Sequence, residues 1–112
     1  MDVFYALAEP RRRKIIELLA SSGQLSAGDI YKRFDITAQA VSQHLGILLG
    51  AGLLRMRKQA QQHIYELNPE SISELGDWVD MVEKQWDLRL DRLDKLLKRE
   101  RKLYAKRGYN GR

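Results

Sequence analysis

Ser42 and His44 stand two residues apart, and a hydroxyl near an imidazole is the pairing that a nucleophile and its general base need. On a helix, however, their side chains point about 200° apart and cannot meet. Metal ligation fails on inventory: the only histidines are His44 and His63, on different elements, and there is no cysteine. No Walker loop, dinucleotide glycine pattern or internal repeat is present. What remains is hydrogen bonding without bond making. Wound at about 100° per residue, Thr37 to Leu49 gathers Gln39, Ser42, Gln43 and Gly46 on one face and Ala38, Val41, Leu45 and Leu48 on the other. Gln and Ser both donate and accept, and neither adds charge or great bulk, which suits a groove lined with base edges. The stretch reads as a DNA recognition helix with Gln39, Ser42 and Gln43 as its base-reading residues. His44 lies about 60° from the centre of the apolar stripe, which gives it a partly buried, hydrogen-bonded structural role.

Such a helix needs a frame, and the flanking residues supply one. Thr37 caps it, with Ile36 and Val41 spaced as a hydrophobic staple, and Gly50-Ala51-Gly52 ends it in a left-handed turn. Upstream, Ser26 and Asp29 have capping-box spacing, and only Asp35 and Ile36 separate Phe34 from Thr37, so two helices are expected to meet across a tight turn. Asp2 to Ala8 reads as a short helix with Phe4, Leu7 and Ala8 on one face. A second helix starts at Pro10, ends at Gly23 and turns Ile15, Leu18, Leu19 and Ser22 inward. Arg11, Arg12, Arg13 and Lys14 crowd its start, the wrong end for the helix dipole. They call for an anion, either a neighbouring Glu9 or Glu17 or a DNA phosphate, with Arg12 and Arg13 the residues assigned to the backbone. After Gly52, two alternating runs, Leu53 to Lys58 and His63 to Leu67, read as a hairpin whose polar tip spans Lys58 to Gln62.

From Asn68, a cap followed by Pro69, the sequence is helical to about Tyr104. Leu75, Val79, Val82, Trp86, Leu90, Leu93 and Leu97 step by four and three along it, a coiled-coil-like seam flanked by Trp78 and Met81. Its length and its two tryptophans point to a subunit interface made of Trp78, Val82, Trp86, Leu90 and Leu93, joined by Phe4 of the first helix. Charge follows the same division. Residues 1–67 hold nine Lys and Arg against six Asp and Glu, residues 68–94 three against eight, and residues 95–112 eight against one. The formal charge of +5 suits a polyanionic partner. With 112 residues, 44% of them apolar, the chain is expected to be one compact domain with an appended element. Residues 1–68 form the DNA-binding region, 69–104 a dimerisation helix packed on the same domain, and 105–112 a mobile basic tail. No stretch approaches the roughly 18 apolar residues of a membrane span, and Arg11 to Lys14 interrupt any secretory segment, so a cytoplasmic protein without membrane insertion is expected.

The matching segments are A-L-A-E-P-R-R-R-K-I-I-E-L-L (Ala6 to Leu19), L-S-A-G-D-I (Leu25 to Ile30), A-V-S-Q-H-L-x-x-L (Ala40 to Leu48), A-G-L-L (Ala51 to Leu54) and I-Y-E-L-N-P (Ile64 to Pro69). In this order they resemble the ArsR family of bacterial and archaeal repressors, and W-D-L-R-L-D-R-L (Trp86 to Leu93) resembles its autorepressor-like branch. The resemblance implies a mainly α winged helix-turn-helix of order α-α-α-α-β-β-α, with a two-stranded β-hairpin wing and a long C-terminal dimerisation helix. It implies a homodimer that binds double-stranded DNA at a palindromic operator and represses transcription, and no enzyme activity. By position, Thr37, Ala38, Gln39, Ser42 and Gln43 match the recognition segment, and Gln61, Gln62 and His63 match the wing. Where metal-sensing relatives carry cysteines this chain has Ser26, Ala27 and Gly28, its last long helix has no histidine, and Ala60 replaces the usual wing glycine. No metal or cofactor is therefore expected. Two alternatives stand beside this reading: a winged-helix module that binds a regulatory protein, and a repressor with a small-molecule effector site at the dimer interface.

Overall fold

The structure is a computed structural model that describes residues 2–106, with side chains described through Leu103. Residues 107–112, most of the tail expected to be mobile, lie outside the described residues. Element order is α1 (Val3–Leu7), α2 (Pro10–Ser22), β1 (Gln24–Ser26), α3 (Ala27–Tyr31), α4 (Ala38–Gly50), β2 (Leu54–Gln59), β3 (Gln62–Leu67) and α5 (Pro69–Lys106). The described residues divide into two compact units at Glu74 and Leu75.

Short-range chemistry sets most boundaries in the first unit. The Asp2 carboxylate accepts the Phe4 N–H at 3.2 Å and opens α1. Ser26 Oγ accepts the Asp29 N–H at 3.2 Å, and Thr37 Oγ1 accepts the Ala40 N–H at 3.1 Å. Asn68 Oδ1 accepts the Glu70 N–H at 3.3 Å, while its own backbone N–H donates to Leu53 O at 2.9 Å. Gly52, at φ 77°, ends α4 in a Schellman turn: the Leu53 N–H reaches back to Leu48 O at 3.1 Å and the Gly52 N–H to Leu49 O at 3.0 Å. Each of these satisfies a group that the helix itself leaves without a partner.

Ala6, Ile15, Leu19, Ile30, Val41, Leu45, Leu48, Leu53, Leu54 and Tyr65 form the core, with Leu67 and Ile72 packed against it. Burying a side chain of this size contributes about 1.5–3 kcal/mol, so the helices, each too short to persist alone, are held by this cluster. The second unit is the remainder of α5, a helix of 38 residues in all, about 57 Å long at 1.5 Å per residue. Among the described residues no helix is long and apolar enough to cross a membrane.

Several local expectations change. The sheet has three strands in the order β1-β3-β2, because Gln24, Leu25 and Ser26 pair antiparallel with Glu66, Tyr65 and Ile64. The hairpin is tighter than expected: Gln59 and Gln62 are partners, leaving Ala60 and Gln61 as a two-residue turn. Ala60 adopts φ 55°, the left-handed geometry such turns require, at a steric cost of about 1 kcal/mol for a residue with a Cβ. α3 ends at Tyr31, so five residues rather than two stand between it and the Thr37 cap of α4, the first of them held by the Lys32, Arg33 and Phe34 N–H groups donating back to Gly28, Ile30 and Tyr31. In α1 it is Ala6 that is buried, while Phe4 and Ala8 are exposed; Ser22 and Ala38, also assigned inward, are exposed as well.

Candidate nucleic-acid interface

α4 is two-sided. Val41, Leu45 and Leu48 are fully buried, and Gln39, Ser42, Gln43 and Gly46 are exposed on the opposite side. A Cβ built on Gly46 would meet no heavy atom within 4 Å, so this side opens outward. Thr37 and Ala38 are exposed at the start of the helix. The Thr37 oxygen is engaged as the cap, which leaves its hydroxyl proton to donate outward. The outer side therefore offers two amides and two hydroxyls, all uncharged and able to donate and accept.

Arg12 corrects the sequence reading. It is only 6% exposed, and its guanidinium is consumed internally: Nε donates to Ala6 O at 2.7 Å and Nη2 to Tyr5 O at 3.2 Å, with the cation 5.3 Å from the Tyr5 ring centroid. Arg13 donates to Leu7 O at 2.7 Å and Ala8 O at 3.1 Å, although it stays exposed. What meets the charge of these two residues is thus the carbonyl end of α1, the negative end of its dipole. Arg12 is a structural clamp and does not present its guanidinium to a phosphate.

The same clamp holds α4 from behind. Arg12 Nη1 lies 3.3 Å from His44 Nδ1, within hydrogen-bond reach of the ring. Glu9 Oε2 is 3.9 Å from Nε2. His44 thus has the partly buried, hydrogen-bonded role assigned to it, and it does not share the exposed side with Ser42. Partial burial works against ionisation of Glu9, but hydrogen bonds from the Arg12 and Arg11 N–H groups and the charges of His44 and Arg11 together hold its carboxyl below the usual range. Burial raises the Tyr65 hydroxyl, with Tyr31 adding to the effect, so it stays a neutral phenol.

Gln61, Gln62 and His63 are exposed at the wing, and with Ser26, Ala27 and Gly28 they line an open cleft of about 330 Å³. Sequence reasoning placed Lys58 at the hairpin tip but missed four other cations beside both regions. Lys32 and Arg33 are exposed in the segment leading into α4, and Arg55 and Arg57 are exposed with Lys58 along β2. Arg55 pairs with Glu66 at 3.2 Å and Arg57 hydrogen-bonds the Gln24 side chain, which lays both along the outer face of the sheet. The signal was present in the strand alternation Arg55-x-Arg57, whose period of two puts both on one face. Among the described residues no three His, Cys, Asp or Glu side chains come together as a metal site. The positions matched to the family's cysteines hold Ser26, Ala27 and Gly28, which offer no thiolate, so the residues present do not fit that metal centre.

A short helix, a turn and a capped helix with a polar outer side, beside a two-residue hairpin, define the class of winged helix-turn-helix DNA-binding proteins. A helix-turn-helix domain family matches residues 7–57. The chain is 36% identical over 78 residues to the transcriptional repressor SdpR of Bacillus subtilis, covering 70% of this chain and 86% of that protein. It is 30% identical over 80 residues to an arsenical resistance operon repressor of Staphylococcus xylosus, covering 71% and 76%. An ArsR-like transcriptional regulator from Rhodococcus sp. RHA1 shares the fold at a TM-score of 0.72 and 24% identity, over 84% of this chain and 88% of that one. The chain belongs to the ArsR family of winged helix-turn-helix transcriptional regulators, and it is a regulator rather than an enzyme.

Proposed function

We propose that this protein is a cytoplasmic, homodimeric repressor that reads a palindromic operator without a metal effector. Residues 1–68 bind DNA and residues 69–104 dimerise. The observation that carries the reading is the outer side of α4, where Gln39, Ser42 and Gln43 are exposed and uncharged while the opposite side is filled by the core. Gln offers the paired donor and acceptor that match adenine in the major groove, and Ser serves either base type. Arg13, Thr37, Ala38, Gln61, Gln62 and His63 flank this side as backbone contacts, and the exposed Lys32, Arg33 and Lys58 join them in place of Arg12. Two copies would set their recognition helices about 34 Å apart, one turn of the duplex. For the dimer, support comes from Val82, Trp86, Leu90 and Leu93, all exposed on α5. Metal independence is supported by the lack of cysteine and by the engagement of His44 with Arg12.

The test is binding to fragments of the protein's own promoter against random DNA at several salt concentrations. Gln39→Ala with Gln43→Ala lowers affinity for the specific fragment by about 30-fold or more, at about 1–3 kcal/mol for each of the two base contacts removed, and leaves random DNA unchanged. Equal binding of both DNAs by the double variant and the wild type overturns the base-reading assignment.

A further inference from the structure

α2 has an outer side that neither the core nor the recognition face of α4 uses. Arg11, Lys14, Leu18 and Ser21 follow one another at three, four and three residues, so they stand along one side of the helix over about 15 Å. Across from them runs the segment 33–36, which leads into the Thr37 cap of α4, and between the two lies an open cleft of about 570 Å³, larger than the one at the wing. Its base is apolar: Leu18, Phe34 and Ile36 are half-buried, and Leu18 stands apart from the core cluster against which the other two pack. Its rim is charged, with Arg11, Lys14 and Arg33 set among Glu17 and Asp35, all exposed. We propose that this cleft binds a small monoanionic acid, a carboxylate carried on an apolar ring or chain that also bears an N–H or O–H.

Each part of the ligand answers a part of the lining. Arg11 meets Glu9 only at 4.0 Å, and among the described residues the side chains of Lys14 and Arg33 form no ion pair or hydrogen bond, so their donors are available to a carboxylate. Three cations against two acids leave the lining at +1, which balances one negative charge, while Glu17 and Asp35 repel a polyanion such as the duplex backbone. Ser21 Oγ donates to Glu17 O at 3.3 Å and Leu18 O at 3.1 Å and keeps its lone pairs, so it and the two carboxylates accept from a donor on the ligand body. The half-buried base takes the apolar part of the body out of water, as in most small-molecule sites of this size. A consequence for regulation rests on the assignment of Arg33 to the operator backbone: an acid in the cleft takes Arg33 from the phosphates and lowers operator affinity, and operator DNA weakens the acid by the same factor.

Indole-3-acetate is the probe, with one carboxylate, an apolar ring and one N–H. Titrated into the full chain without DNA, it should shift backbone amide NMR signals in the segments 14–21 and 33–36. Lys14→Gln with Arg33→Gln, both at exposed positions, should weaken binding about tenfold or more, the worth of one charge-assisted hydrogen bond, with circular dichroism confirming the fold. Neutral indole-3-acetamide and inorganic phosphate should each bind about tenfold or more weakly than the acid. Equal binding by the amide removes the cations from the site, and equal binding by phosphate removes the apolar base and returns the cleft to the DNA backbone. Either result overturns the proposal, as do shifts confined to other segments, no shifts, or a double variant that binds as the wild type does. The regulatory consequence is measured separately with Lys14→Gln, which has no assigned DNA contact: it should bind the protein's own promoter fragment as the wild type does and require about tenfold more acid for release. Acid that fills the cleft without changing operator affinity overturns the competition. A wild-type chain that does not distinguish its promoter from random DNA defeats the repressor reading instead, and the DNA-free titration still decides the site.

Discussion

α4 and the later part of α5 are both amphipathic helices, and they use their two sides in opposite ways. In α4 the apolar side is spent on the core, with Val41, Leu45 and Leu48 fully buried, and the outer side carries amides and hydroxyls without charge. In α5 the apolar side is exposed through Val82, Trp86, Leu90 and Leu93, and the remaining positions are densely charged. A helix that has satisfied its apolar side can present a sparse polar one to a hydrated groove, where direction-specific hydrogen bonds decide the outcome. A helix whose apolar side is open gains most by excluding water against another apolar surface. One side suits bases, the other a protein chain.

The most damaging way to probe this contrast is from behind α4. Arg12→Met removes the guanidinium that holds the Ala6 and Tyr5 carbonyls and touches His44, leaving a buried carbonyl without its donor. Unfolding in urea should show a loss of about 3 kcal/mol. The salt dependence of DNA binding by the folded fraction should stay that of the wild type. The converse, full stability with a slope reduced by about one, would make Arg12 a phosphate ligand and dissolve the distinction between inner and outer sides.

A smaller and opposite effect is expected on the outer side of α4. Gly46→Ala replaces a poor helix former where the added methyl group meets nothing, so thermal unfolding should show a gain of about 1 kcal/mol. The same methyl group adds bulk to a surface proposed to close on base edges, so operator affinity should fall while the fold strengthens. A rise in both would leave that surface without a close partner.

What could be read in the sequence follows the range of the interactions. Ser26, Thr37, Gly23 and Gly52 act within a few residues of themselves, as does Asn68 in capping α5, and each sits where its type predicts. The outer side of α4 was legible because periodicity alone separates Gln39, Ser42 and Gln43 from Val41, Leu45 and Leu48. β1 was not, because Gln24, Leu25 and Ser26 become a strand only by pairing with β3, some forty residues away. Arg12 was not, because a cluster of four basic residues does not say which of them turns inward to the end of α1. The cations at Lys32 and Arg33 were visible as residues, but their position depends on how early α3 stops.

The least perturbing test of the support behind α4 is acid. Glu9 accepts the Arg12 N–H at 3.1 Å and faces His44, and its carboxyl titrates below the ordinary value of 4.5. A carboxyl held low in the folded chain contributes stability that is fully present above its unfolded value and is lost as pH falls through the folded one. Glu9→Gln keeps an oxygen that can accept the Arg12 N–H and removes only the charge. Urea unfolding of the two proteins should therefore show a small wild-type advantage that is constant near neutral pH and disappears below the usual glutamate range. An advantage that persists in acid would mean that the side chain acts by shape and hydrogen bonding alone, and that the charge beside His44 contributes nothing to holding the inner side of α4 in place.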